Sequence, residues 1–232
     1  MDISKNIIKI IKEKLSEILS LRQNMSMKAD NSFVSEGDLL VEKILIKFLN
    51  KNLVNHFIVS EEKKLDKTHQ WNKDGSYIFI DPIDGTENFI SGLKEWGVGV
   101  SIFTDGIHQE SLIYLPELDD FQITGMQIKK YRSRIFGISS SISKNDISKL
   151  PLQSHEFRIT GCSMYNLLSA ARGSFNIFEN INGVNCWDIL PGINIAMEHG
   201  CKVYIDDKPY KSEILFPDKK YKIKVINPQI LK

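Results

Sequence analysis

The chain has 232 residues, a hydrophobic fraction of 42%, a charged fraction of 25% and a formal net charge of +1. Those values suit a globular protein with a core of its own, and they give no global field to draw in nucleic acid or an anionic membrane. The three cysteines, Cys162, Cys186 and Cys201, form no CxxC pair and read as free thiols of a reducing compartment. No apolar run approaches the roughly 20 residues of a membrane span, and the first 21 residues lack the h-region of a signal peptide. A cytoplasmic protein is therefore expected.

In chain order, Ile7, Ile8, Ile11, Leu15, Ile18 and Leu19 fall on one helical face, with lysines and glutamates opposite. Residues 25–33 are polar and read as a loop. A second helix carries Leu40, Ile44, Leu45, Phe48 and Leu49, and it opens on Ser35 and Asp38, spaced as a capping box. Strands are expected at 57–60 and 77–80, then a hairpin of 97–103 and 110–115 around Thr104-Asp105-Gly106, then a strand at 120–124. The second half reads as strand 135–139, helix 163–172 closed by Gly173, strand 175–178, helix 188–199 closed by Gly200, and strands 202–205 and 221–226. This is a mixed, layered α/β protein. A division near residues 125–135 would separate a lobe of about 1–125 from one of about 126–232 within a single domain.

The densest chemical signal is Asp81-Pro82-Ile83-Asp84-Gly85-Thr86, directly after an apolar strand. Two carboxylates leave a strand end and enter a tight turn, where Pro82 fixes one φ and Gly85 permits unusual ones. Converging carboxylates are hard oxygen ligands suited to Mg²⁺. Thr86 reads as the N-cap of a following helix, and the N–H groups of Gly85 and Thr86 as a seat for phosphate. Each piece alone has a plain structural reading. Asp-Pro and Asp-Gly are common turn pairs, Asp38 and Asp188 suit helix starts, and Glu61-Glu62 suits a solvated surface.

The six-residue string, with Asn88-Phe89 and Gly92 after it, resembles the signature of the inositol monophosphatase-like, lithium-sensitive phosphatases. Ser60-Glu61-Glu62, Ser35 with Asp38, Lys28, and Cys186-Trp187-Asp188 fall in that family's order. The resemblance covers roughly residues 25–205. It implies an α+β, layered αβαβα sandwich of the inositol monophosphatase/fructose-1,6-bisphosphatase type. It also implies a phosphomonoesterase with two or three Mg²⁺ per site. Glu62, Asp81 and the Ile83 carbonyl would hold one ion, and Asp81, Asp84 and Asp188 a second. A third would sit near Glu62 through water. Asp38, Thr86 and Glu62 would be catalytic, with Thr86 and Asp38 orienting or deprotonating the attacking water. Gly85 and Thr86 would take the phosphate. Lys28, Gly161, Cys162, Ser163 and Glu179 would lie on the substrate side.

Some positions depart from the family pattern. Leu190 stands where a small residue is usual, and the helix end Glu198-His199-Gly200-Cys201 replaces a glycine-rich one. His199 reads as a helix C-terminal residue, a place that suits a cation. The family's inositol-contacting glutamate falls at Ile181, with Glu179 and Asn180 nearby, and residues 119–130 look trimmed. The resemblance implies a homodimer acting on inositol phosphate or another sugar or polyol phosphate. A nucleotide 3′-phosphatase, a fructose-bisphosphatase, and a non-catalytic accessory factor of transcription machinery or RNA are the alternatives. The even spread of Lys and Arg favours neither a nucleotide nor a nucleic-acid partner.

Overall fold

The structure is a computed structural model that describes residues 2–63, 68–148 and 156–228. Helix α1 (Ile3–Ser20) is followed by a short hairpin, β1 (Met25–Met27) and β2 (Phe33–Ser35), then α2 (Glu36–Asn52), β3 (Phe57–Ser60), β4 (Tyr77–Asp84) and α3 (Thr86–Ile90). β5 (Gly97–Thr104), β6 (Ile107–Leu115) and β7 (Asp120–Ile123) complete a first sheet. Next come β8 (Ile135–Ile138), α4 (Lys144–Ile147), β9 (Glu156–Arg158), α5 (Ser163–Arg172), β10 (Ile177–Val184) and α6 (Cys186–Glu198). β11 (Lys202–Ile205), β12 (Lys208–Pro209) and β13 (Tyr221–Ile226) follow.

The first sheet has strand order β3-β4-β5-β6-β7, antiparallel except for the β3/β4 pair. β4 is buried on both faces, which is why Tyr77-Ile78-Phe79-Ile80 reads as an unbroken apolar run. Its alternate residues serve different cores. Ile78 and Ile80 pack with Ile7, Ile11, Val41 and Leu45 of α1 and α2. Tyr77 and Phe79 face Leu167 of α5, Ile189 and Ile193 of α6, and Phe178 and Val225 of the second sheet. That sheet has order β12-β11-β13-β10-β8-β9.

The layers thus run helix pair, sheet, helix pair, sheet, an α+β sandwich. β8, β9 and β10 are parallel, and β9 and β10 flank β8 on opposite sides. α5 fills the inner layer with α6, and the single turn α4 buries no residue of its own.

Several elements differ from the sequence reading. Residues 25–35 form a hairpin where a loop was expected, since no apolar alternation marks its exposed first strand. β10 begins at Ile177 and not at Phe175, and it runs on to Val184 through an irregularity between Asn180 and Val184. The capping box of α2 is present: Ser35 Oγ accepts from Asp38 N at 3.3 Å, and Ser35 N donates to Asp38 Oδ2 at 2.9 Å. All three cysteines are buried and free. Among the described residues no helix is long and apolar enough to cross a membrane.

Candidate metal centre

Strand register assembles the site. β3 and β4 are parallel with Phe57 opposite Tyr77 and Ser60 opposite Ile80. One step further the same offset brings Glu61 beside Asp81, and Glu61 N donates to Ile80 O at 3.4 Å. Against β5, Asp81 pairs with Gly99 and Asp84 with Gly97, so one extra residue is accommodated around Pro82-Ile83. Gly85 then takes φ +83°, a left-handed turn that L side chains resist, and α3 begins. Asp188 arrives from the first turn of α6, with Asn185 N donating to its Oδ2 at 3.1 Å. Carboxylate oxygens of Glu61, Asp81 and Asp188 all lie within 4.8 Å of one another.

No donor reaches the central carboxylate, Asp81. Asp81 is fully buried, and neither of its carboxylate oxygens has a hydrogen-bond partner among the described residues. Burial, and then the charges of Glu61, Asp188 and Asp84, hold its carboxyl well above the usual carboxylate range. The same causes, burial first and then Glu61 and Asp84, raise Asp188. Asp84 is pushed up to about 6 by burial, even though its Oδ2 accepts from Met164 N and, at 3.0 Å, from Cys162 Sγ. Buried carboxylates facing one another without a proton or counterion are strongly unfavourable, and a cation among them adds an attraction to each that outweighs their mutual repulsion. An all-carboxylate set selects a hard ion such as Mg²⁺ or Ca²⁺. The donor set and the orphaned Asp81 oxygens therefore fit a divalent cation.

A second cluster adjoins it. Thr86 Oγ1 lies 3.0 Å from Asp38 Oδ1 and 3.1 Å from the Ile83 carbonyl oxygen. Asp38 is fully buried at the start of α2, where its other oxygen accepts from Ser35 N and, at 2.5 Å, from Ser35 Oγ. Burial still pushes the Asp38 carboxyl upward against those bonds.

Of the residues expected from sequence, Asp81, Asp84, Asp188, Asp38, Thr86 and the Ile83 carbonyl are brought into this region. Glu62 is not the glutamate that joins Asp81 and Asp188; Glu61 is, because neighbouring residues beyond a strand end point to opposite sides. The Glu62 carboxylate instead accepts from Lys28 Nζ at 2.7 Å, and burial raises it to about 7. Lys28 Nζ also donates to Glu61 at 2.9 Å. Thr86 is the first residue of α3, whose N-cap is Gly85. Gly161, Cys162 and Ser163 sit at the start of α5, and Cys162 reaches Asp84 as above. Glu179 lies on the face of β10 opposite the buried Phe178, 3.6 Å from Lys224 Nζ, and does not join the carboxylate cluster. Burial lowers the His199 imidazole, and the cation at the α6 C-terminus is Lys130, whose Nζ donates to His199 O at 2.7 Å.

The model of the inositol monophosphatase family matches residues 1–215. The Nus factor SuhB of Escherichia coli (strain K12) is 29% identical over 198 residues, 75% of this chain and 72% of that protein. An IMPase of Thermotoga maritima superposes with a TM-score of 0.79 at 21% identity, covering 98% of this chain and 92% of that one. An IMPase/NADP phosphatase complexed with Mg²⁺ and phosphate gives 0.76 at 18% identity, covering 97% and 92%. At those identities the two structures carry the fold alone, whereas the family match spans nearly the whole of the carboxylate-bearing chain. The chain belongs to the inositol monophosphatase family.

Proposed function

We propose that the protein is a Mg²⁺-dependent phosphomonoesterase acting on a small sugar or polyol phosphate, inositol phosphate included. The observation that carries this reading is the Asp81 carboxylate, buried and without a donor between Glu61 and Asp188. Glu61, Asp81 and the Ile83 carbonyl would hold one ion, and Asp81, Asp84 and Asp188 another. Bound there, divalent cations supply neutralisation of the phosphoryl oxygens and acidification of a water. The Mg²⁺ and phosphate in complex with the IMPase/NADP phosphatase support this choice of ion and ligand.

The protein's own groups then handle the proton. Thr86 Oγ1 has one proton and two acceptors in reach, Asp38 Oδ1 and Ile83 O. Donation to Asp38 leaves a Thr86 lone pair to accept from the attacking water. The proton moves on to Asp38, whose proton affinity burial raises above that of an ordinary carboxylate, the direction a general base needs. Water and ester become phosphate and free alcohol without a covalent enzyme intermediate. The backbone N–H groups of Gly85 and Thr86 would seat the phosphate, and residues 161–163 would face the alcohol. A cytoplasmic homodimer completes the reading.

The test is phosphate release from inositol-1-phosphate, glycerol-2-phosphate, a nucleotide 3′-phosphate and fructose-1,6-bisphosphate, with and without Mg²⁺ and with added Li⁺. Release that requires Mg²⁺ and falls with Li⁺ is the expected result, and the ranking assigns the substrate class. A folded, Mg²⁺-binding protein that releases nothing would favour the second reading, an accessory role of the kind that the name Nus factor gives to SuhB.

A further inference from the structure

The metal-binding turn and the start of α5 come from chain segments some 80 residues apart, yet they are held together at two points. One is Asp84, which accepts from Met164 N and Cys162 Sγ. The other is Asn88, one helical turn further on. It is only 6% exposed, and its Nδ2 donates at 2.6 Å to both Glu95 O and Thr160 O. Both amide protons are thus spent on backbone carbonyls from two different segments, a fixed planar fork that no other side chain at this position reproduces. The packing is equally close. A Cβ on Gly161 would lie 2.8 Å from Asn88 Oδ1, and a Cβ on Gly85 would meet Cys162 Cβ at 3.1 Å and Glu95 O at 3.3 Å.

We infer that Asn88 is a positioning residue that fixes segment 160–163, the alcohol side of the site, against the metal-binding turn. The role rests on the phosphatase reading above. Asp84 cannot do this alone, because the oxygen that grips α5 belongs to a carboxylate also needed by the cation. Asn88 carries no charge and spends its amide protons on backbone carbonyls and not on a carboxylate of the cluster, so its grip is independent of ion loading. It acts on the alcohol half of the substrate and leaves the phosphate half to the ions and α3.

Asn88→Asp keeps the shape and removes both donors, leaving carboxylate oxygens facing two carbonyls; Asn88→Ala removes the fork altogether. Four quantities are measured on purified wild type and variants: KM and kcat for inositol-1-phosphate, inhibition by inorganic phosphate, Mg²⁺ affinity by calorimetry, and the melting temperature. We expect KM to rise about tenfold to a hundredfold, as a small misplacement of a binding segment allows. We expect kcat, phosphate inhibition and Mg²⁺ affinity to stay within about threefold, the pattern of lost ester binding without lost transition-state contacts. A lower melting temperature with unchanged KM per folded molecule would show a purely structural residue and overturn the assignment. An equal loss of ester, phosphate and Mg²⁺ binding would overturn it too. Wild type without Mg²⁺-dependent turnover would overturn instead the phosphatase reading, and this role with it.

Discussion

Two of the polar clusters among the described residues differ in one respect. Glu61, Asp81, Asp84 and Asp188 bring only acceptors, and Asp81 has no partner at all. Behind β5, by contrast, Ser101 Oγ meets Ser111 Oγ at 2.9 Å and His108 Nε2 meets Ser111 Oγ at 2.8 Å. Asn194 Nδ2 lies 2.9 Å from Leu190 O and 3.4 Å from Ser101 Oγ, and Tyr210 OH lies 3.3 Å from Asn194 Oδ1. Burial lowers His108 to about 4, so this second network is neutral at physiological pH. A network whose donors and acceptors match is finished as it stands and serves the fold. A cluster whose central carboxylate has no donor is complete only with a cation, which is why the first cluster reads as a site and the second does not.

Asp81→Asn breaks that contrast most severely. We expect turnover to fall about a thousandfold or more, the scale of losing a preorganised charge partner at the reacting centre. In EDTA the variant should be more stable than wild type by about 1–3 kcal/mol, because a neutral amide removes the buried, unpartnered charge and can donate to a facing carboxylate. Activity assays and melting in EDTA check both halves. Retained turnover, or a loss of stability in EDTA, would mean that Asp81 is satisfied in a way the contrast denies.

Thr86→Ala comes next. Without Oγ1 the link between the water and Asp38 is gone, and kcat should fall about a hundredfold, within the usual range for general acid–base help. Thr86→Ser keeps the hydroxyl and should recover most of it. If both variants lose equally, Thr86 contributes packing and not a proton path.

Proton competition sharpens the comparison further. Asp84 rises from the ordinary 3.8 to about 6, and Asp81 and Asp188 are raised with it. Between those values the folded, ion-free protein binds more protons than the unfolded chain, so its stability falls as pH rises through that window. His108 runs the other way. With its imidazole lowered from 6.5 to about 4, the folded state loses stability as pH falls through that range. Mg²⁺ competes with protons only at the carboxylates. The gain in melting temperature on adding Mg²⁺ should therefore shrink as pH drops from about 7 to about 5, while the His108 contribution cancels in the difference. A gain independent of pH would place the ion elsewhere.

How far the site was legible before the fold depends on what each part requires. Asp81 to Thr86 announced itself because a buried strand and its turn occupy consecutive residues, so spacing alone put both aspartates at one strand end. The choice between Glu61 and Glu62 was not available from spacing. It follows from the 20-residue offset that pairs Phe57 with Tyr77 and so sets Glu61 beside Asp81, a tertiary register no local pattern encodes. The setting of Glu179 was hidden for a related reason: it alternates with the buried Phe178 along β10, and the irregularity after Asn180 is invisible in the residues. Asn88 was seen only as part of a motif, since its partners Glu95 and Thr160 are joined to it by folding. The layered architecture was clear from the alternation of elements. The hairpin at residues 25–35 was not, because its strands are three residues each and the first is exposed.

The smallest expected effect tests the finished network. Asn194→Leu conserves volume but removes the amide that lies against Leu190 O, Ser101 Oγ and Tyr210 OH. Tyr210 still has Glu213 O at 2.8 Å, and Ser101 still has Ser111, so the damage is confined to weakened rather than wholly orphaned groups. A cost of about 1–3 kcal/mol is expected. That lowers the melting temperature by about 2–4 °C per kcal/mol for a chain of this size. Because the network holds no charge and α6 reaches the metal centre at its other end, through Asp188, Mg²⁺ affinity and kcat per folded molecule should not move. If Mg²⁺ binding weakens along with stability, the two clusters are not independent: α6 would be transmitting the disturbance from Asn194 to Asp188, and the neutral network would count as a support of the metal centre.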